Sequence, residues 1–179
     1  MSLQGPNSGT TFVNDSGVGS YDWSNPGNAQ YSDDIYAVAT GNGDSHYLKA
    51  TGFGFSIPVE AKITGIVVEV EGHIAIGWPT NPDNLDYIRL VKGGTIQGIN
   101  VRNTSYWTLT DQYFSQGGYT NLWGLTLTPA DVNASNFGVA VSISIYENDT
   151  AYLDHIRMTV YYKPIARHGY VNFQNPGIA

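Results

Sequence analysis

Apolar and polar residues alternate with a period of two in several separate runs of this chain. That is the pattern of β-strands with one face buried. In Ile63–Ile76, Ile66, Val68 and Val70 share one face, and Glu69 and Glu71 share the other. In Phe137–Ile145, Phe137, Val139, Val141, Ile143 and Ile145 point inward, with Gly138, Ala140, Ser142 and Ser144 outward. The last run, Tyr152–Tyr162, aligns Ile156, Met158, Val160 and Tyr162. Shorter strands are predicted over Ser32–Thr40, His46–Phe55, Tyr87–Lys92 and Thr95–Val101. Turns are expected at Gly41–Asp44, Gly93-Gly94 and Glu147–Thr150. Residues 77–86 hold two prolines and read as a loop, and residues 102–124 as a long aromatic-rich excursion. The one helix expected is a single turn over Thr128–Val132, with Thr128 as N-cap and Pro129 in first position.

Two segments echo each other: Leu85-Asp86-Tyr87-Ile88-Arg89-Leu90 and Leu153-Asp154-His155-Ile156-Arg157-Met158. Strict alternation places Asp86 with Ile88 and Leu90, and Asp154 with Ile156 and Met158, while Arg89 and Arg157 point the other way. An inward aspartate at the rim of an apolar face can accept loop amides or hold a cation. These four residues are the structural candidates. Eight or more such strands predict an all-β domain: a two-sheet, jelly-roll-like β-sandwich. The sandwich is expected over 21–163, with a Gly/Ser/Asn-rich arm over 1–20 and an extended C-terminal arm over 164–179.

At 179 residues, one domain suffices to bury most of the apolar surface. A net charge of −7 with only 8 Lys+Arg argues against nucleic acid and against an anionic membrane as partners. There is no cysteine, hence no disulfide framework and no cysteine metal site. No stretch approaches the ~20 apolar residues of a spanning helix, and the first residues lack the basic and apolar regions of a secretory leader.

Candidate chemistry is sparse. Gly43-Asp44-Ser45-His46 matches a hydrolase nucleophile block only superficially, because it falls in a predicted hairpin turn. Glu69 and Glu71 lie ~6.5–7 Å apart on one strand face. A glycosidase would bury one of them, whereas these are expected to face solvent. The histidines are scattered without zinc spacing. Loop aspartates, Asp149 and Asp154 foremost, could supply oxygen ligands for calcium; no other cofactor is expected and no catalytic residue is assigned. Tyr106, Trp107, Tyr113 and Tyr119 are candidates for contact with a glycan or protein partner, against the alternative that such aromatics fill the core. The tail carries Tyr170, Val171, Phe173 and Ile178 where strand periodicity has stopped. These four are the interface candidates, in an arm that docks on a neighbouring subunit.

Several blocks together carry a family resemblance: Trp23–Pro26, Ser32–Asp34, Tyr47–Phe55, Ile63–Val70, Ile88–Gly94, Trp123–Leu125, Thr128–Asp131 and Leu153–Tyr162. Across residues 10–162 the chain resembles a β-sandwich domain of tailed-phage virion proteins and phage-like bacterial surface proteins. The resemblance implies a non-enzymatic role in the virion, as a capsid decoration, head-fibre or tail-tip component, and it supplies no catalytic residues. The expected partners are further copies of the chain, a trimer among the symmetries allowed, and the major capsid protein or another virion protein. The competing expectation is a carbohydrate-binding or receptor-binding module that contacts host glycans through the same aromatics.

Overall fold

A computed structural model describes residues 1–76, 84–101 and 106–165, with residues 84–86 described by their backbone alone. The protein is all-β. Its strands are β1 (Ser2–Ser8), β2 (Thr11–Asp15), β3 (Ala37–Asp44), β4 (Tyr47–Thr51), β5 (Lys62–Ile74), β6 (Asn84–Lys92), β7 (Thr95–Gln97), β8 (Gln112–Gly118) and β9 (Gly138–Lys163). The short helix α1 (Pro129–Asn133) lies where it was expected. Thr128 accepts from the Asp131 amide, Asp131 accepts in return from the Thr128 amide, and Pro129 occupies the first turn.

The architecture turns on β9, which is 26 residues long. Its first half pairs with β4 on one side and β6 on the other. Its second half pairs with β5 on one side and with β3 and β1 on the other. β2 extends the sheet beyond β4, β7 beyond β6, and β8 beyond β5. All nine described strands therefore hydrogen-bond into one continuous antiparallel sheet, whose two halves share β9. The apolar faces of both halves meet in one core. Leu48, Ile66, Val68, Val70, Ile88, Leu90, Val139, Val141, Ile156 and Met158 are all essentially inaccessible. Phe137–Ile145 alternates as predicted, but its outward residues Gly138, Ala140, Ser142 and Ser144 are buried too.

The turn expected at Glu147–Thr150 is instead a bulge inside β9. Pairing with β3 runs from Asp44↔Ser144 and Gly43↔Ile145 to Gly41↔Asp149, so β9 carries extra residues without reversing. Glu147 and Asn148 hold the left-handed conformation, at φ 53° and 61°. That conformation bends a strand and raises its twist, which lets β9 pass from one half of the sheet to the other. The predicted turn at Gly41–Asp44 is likewise strand: these residues form the end of β3. Gly41 is required there because a Cβ would collide with the Tyr21 ring packed over it.

Residues 1–20 were expected to be an arm but largely form β1 and β2. Their polar composition hides this, because backbone pairing with β9 and β4 needs no apolar side chain. The aromatic excursion closes on the core. Trp107 stacks on Phe114, with centroids 5.3 Å apart and planes at 3°, and covers Gly72, where a Cβ would lie 2.6 Å from the indole. Trp123 is fully buried and its Nε1 donates to the Ile66 carbonyl.

Candidate functional site

The echoed segments share a structural device. Pairing of β6 with β9 runs Leu85↔Ile143 and then Tyr87↔Ser142, which leaves Asp86 as the extra residue of a bulge. Pairing of β5 with β9 runs Glu71↔His155 and then Gly72↔Leu153, which leaves Asp154 in the equivalent place. A bulge shifts the side-chain parity by one, so Leu153 and Ile156 are both in the core although three residues apart. Asp154 is buried and accepts the Asp33 amide at 3.4 Å, while Asp33 in turn accepts the Ile35 amide at 3.2 Å. Burial raises the pKa of Asp154, against the lowering effect of the Asp33 and Asp34 amides. The side chain of Asp86 lies outside the described residues.

On the face of β5, β8 and β9 away from the core, a polar network forms around Arg157. Its guanidinium makes two 2.9 Å hydrogen bonds to Glu69 and lies 3.7 Å from the centroid of the Tyr113 ring. The Tyr113 hydroxyl sits 2.8 Å from His155 Nδ1, and Ser8 Oγ sits 2.7 Å from His155 Nε2. The network thus ties β1, β5, β8 and β9 together. Register explains the grouping: Ser8, Arg157, Glu69 and Ser115 are successive cross-strand partners, as are His155, Glu71 and Tyr113. Burial pushes the His155 pKa down, keeping the imidazole neutral. Burial and then the Glu71 carboxylate push the Tyr113 hydroxyl up.

Glu69 and Glu71 are therefore not the solvent-facing pair expected. Glu69 is engaged by Arg157, and Glu71 is half-buried with its Oε2 unpartnered among the described residues. The Ser8–His155 pair has the contact of a nucleophile and its base. The group on the second ring nitrogen is a tyrosine hydroxyl, where nucleophilic triads place a carboxylate or amide. The arrangement fits a clamp that fastens β1 to the sheet.

A second cluster adjoins it and was missed from the sequence. Asp111 accepts from the Tyr36 hydroxyl at 2.8 Å and lies 2.9 Å from His73 Nδ1. His73 stacks on Tyr152 with centroids 4.8 Å apart, and the Tyr36 ring meets both edge-on. His73 faces Tyr152 because the two are paired across β5 and β9. Asp111 and Tyr36 arrive from sequence-distant segments that carry no common motif.

The four aromatic candidates separate. Trp107 is a core residue, 3% exposed, and its indole is closed to a glycan or partner. Tyr113 is held under Arg157. Tyr106 and Tyr119 remain exposed. Of the calcium candidates, Asp149 is fully buried and accepts the Ile76 and Thr150 amides, and Asp154 accepts that of Asp33. Among the described residues no three His, Asp or Glu side chains converge as a metal site. Arg89 lies opposite Ala140 on β6, away from the core side, with its Nε buried and unpartnered among the described residues. Ser45 of the hydrolase-like block is fully buried; its hydroxyl donates to the His46 carbonyl and accepts the Ile143 amide. The tail candidates Tyr170, Val171, Phe173 and Ile178 lie outside the described residues.

Where β5 begins and β9 ends, an apolar groove of about 370 Å³ opens, lined by Pro58, Val59, Glu60, Ala61, Pro164 and Ile165. Val59 is 79% exposed and Ile165 63%. Taken together, these features define an all-β domain with interlinked polar clusters on its outer face and an open apolar site at one end. No family model matches the chain, and no match was found among curated proteins or solved structures.

Proposed function

We propose that this protein is a non-enzymatic structural subunit of a tailed-phage particle. It assembles with copies of itself and binds the particle surface as a capsid decoration or head-fibre component. The family resemblance supports the phage setting. The observation that carries the binding role is the end groove, where Val59 and Ile165 stand in solvent. Burying such side chains on a partner contributes roughly 1.5–3 kcal/mol each before ordering costs. Several outer-face polar groups, by contrast, are engaged with one another: Arg157 with Glu69 and Tyr113, His155 with Ser8 and Tyr113, Asp111 with Tyr36 and His73. Co-sedimentation of the purified protein with phage particles that lack it tests the reading. Saturable binding is expected, and a protein that stays in the supernatant refutes it.

The second reading is a glycan-binding module using Tyr106 and Tyr119, whose exposed rings could stack on sugars. A glycan array separates the two. Sugar-selective signal that is lost on changing either tyrosine to alanine favours the module, and the structural reading expects none.

A further inference from the structure

We propose that the end groove receives the C-terminal segment, residues 166–179, of a neighbouring copy, so that subunits are joined by exchanged tails. The inference rests on the assembly reading above and specifies its contact. The groove is formed by the segment entering β5 and the segment leaving β9, which meet where Lys62 pairs with Lys163. The described chain ends on its wall, at Pro164 and Ile165, and 14 residues follow. Those residues carry Tyr170, Val171, Phe173 and Ile178, apolar groups of the kind the groove could bury. They also carry Arg167, whose positive charge complements Glu60 on the groove wall. Fully extended, 14 residues reach up to roughly 45–50 Å, far enough to cross to an adjacent subunit. Pro164 and Ile165 are themselves part of the groove. To fill it, the same chain would have to turn back after Ile165 over Pro164 and Ile165, a constraint that a neighbour's tail does not carry.

The absence of native cysteine allows a direct test in the full-length chain. Val59→Cys is mixed with Phe173→Cys, and separately with Tyr170→Cys, under mild oxidation, and both pairs are also made as double variants in one chain. Tail exchange predicts a disulfide-linked heterodimer in at least one mixture, and concentration-dependent oligomers from the double variants. Intrachain closure of the double variants without heterodimer would show that the tail folds back on its own groove, and overturns exchange. No cross-link at either position, with the melting curve unchanged, overturns the groove as receptor. Particle co-sedimentation is measured in parallel. Cross-linking without particle binding refutes the phage reading alone, and particle binding without cross-linking refutes the exchange alone.

Discussion

The bulge aspartate Asp154 permits a sharp test of how a buried carboxylate acts in this fold. It is 1% exposed and accepts the Asp33 amide, which anchors the segment leading from Tyr31 toward β3. Asp154→Ala removes the acceptor. A hydrogen bond to a charged group contributes ~1.5–3 kcal/mol. At ~2–4 °C per kcal/mol for a chain of this size, a loss near 2 kcal/mol lowers the melting temperature by roughly 4–8 °C. Asp154→Asn keeps an acceptor oxygen and removes the charge that burial disfavours. Because the folded-state pKa is raised, the stability linked to Asp154 is full below about pH 3.8 and is lost as pH rises through the folded value. Asp154→Asn should therefore match or exceed the wild type at about pH 7, and any advantage should shrink toward about pH 4. Thermal melts of the three proteins at both pH values check this. If Asp154→Ala melts with the wild type, or if Asp154→Asn is as damaged as Asp154→Ala, the acceptor role is wrong.

Three other outcomes are expected. Gly72→Ala should cost ~1–3 kcal/mol by overpacking, since its Cβ would press on the Trp107 ring and the Tyr152 carbonyl; chemical denaturation measures the loss. Trp107→Ala should cost ~3–5 kcal/mol and leave any glycan signal of the folded fraction unchanged, because the indole belongs to the core. The pKa of His155 is lowered in the folded state, so stability present above about pH 6.5 is lost as pH falls toward the folded value. The wild type should lose melting temperature from about pH 7.5 to about pH 5.5 relative to His155→Gln, and parallel curves for the two would contradict the neutral clamp.

Much of the fold was legible in the sequence, because burial of one strand face imposes a period of two. A run such as Ile66–Val70 cannot shift its register by one residue without exposing its apolar set; here Ile66, Val68 and Val70 face the core as the pattern requires. The capping of α1 was equally local: Thr128, Pro129 and Asp131 supply their own geometry. Tertiary structure decided what depends on pairing between distant segments. Ser2–Ser8 is a strand because β9 offers a free edge, which its own polar residues do not announce. The run Glu147–Asn148 looks like a turn, yet β3 pairs on both sides of it and makes it a bulge. Alternation put both echoed aspartates on the core face, whereas each is the extra residue of a bulge, a property of register with a partner strand. The outer-face clusters follow the same rule. Glu69 meets Arg157, and His73 meets Tyr152, because cross-strand neighbours are set by which strands align and not by spacing along the chain. Periodicity carries the strands and their core faces; the company each polar side chain keeps is fixed only when the strands settle into one sheet.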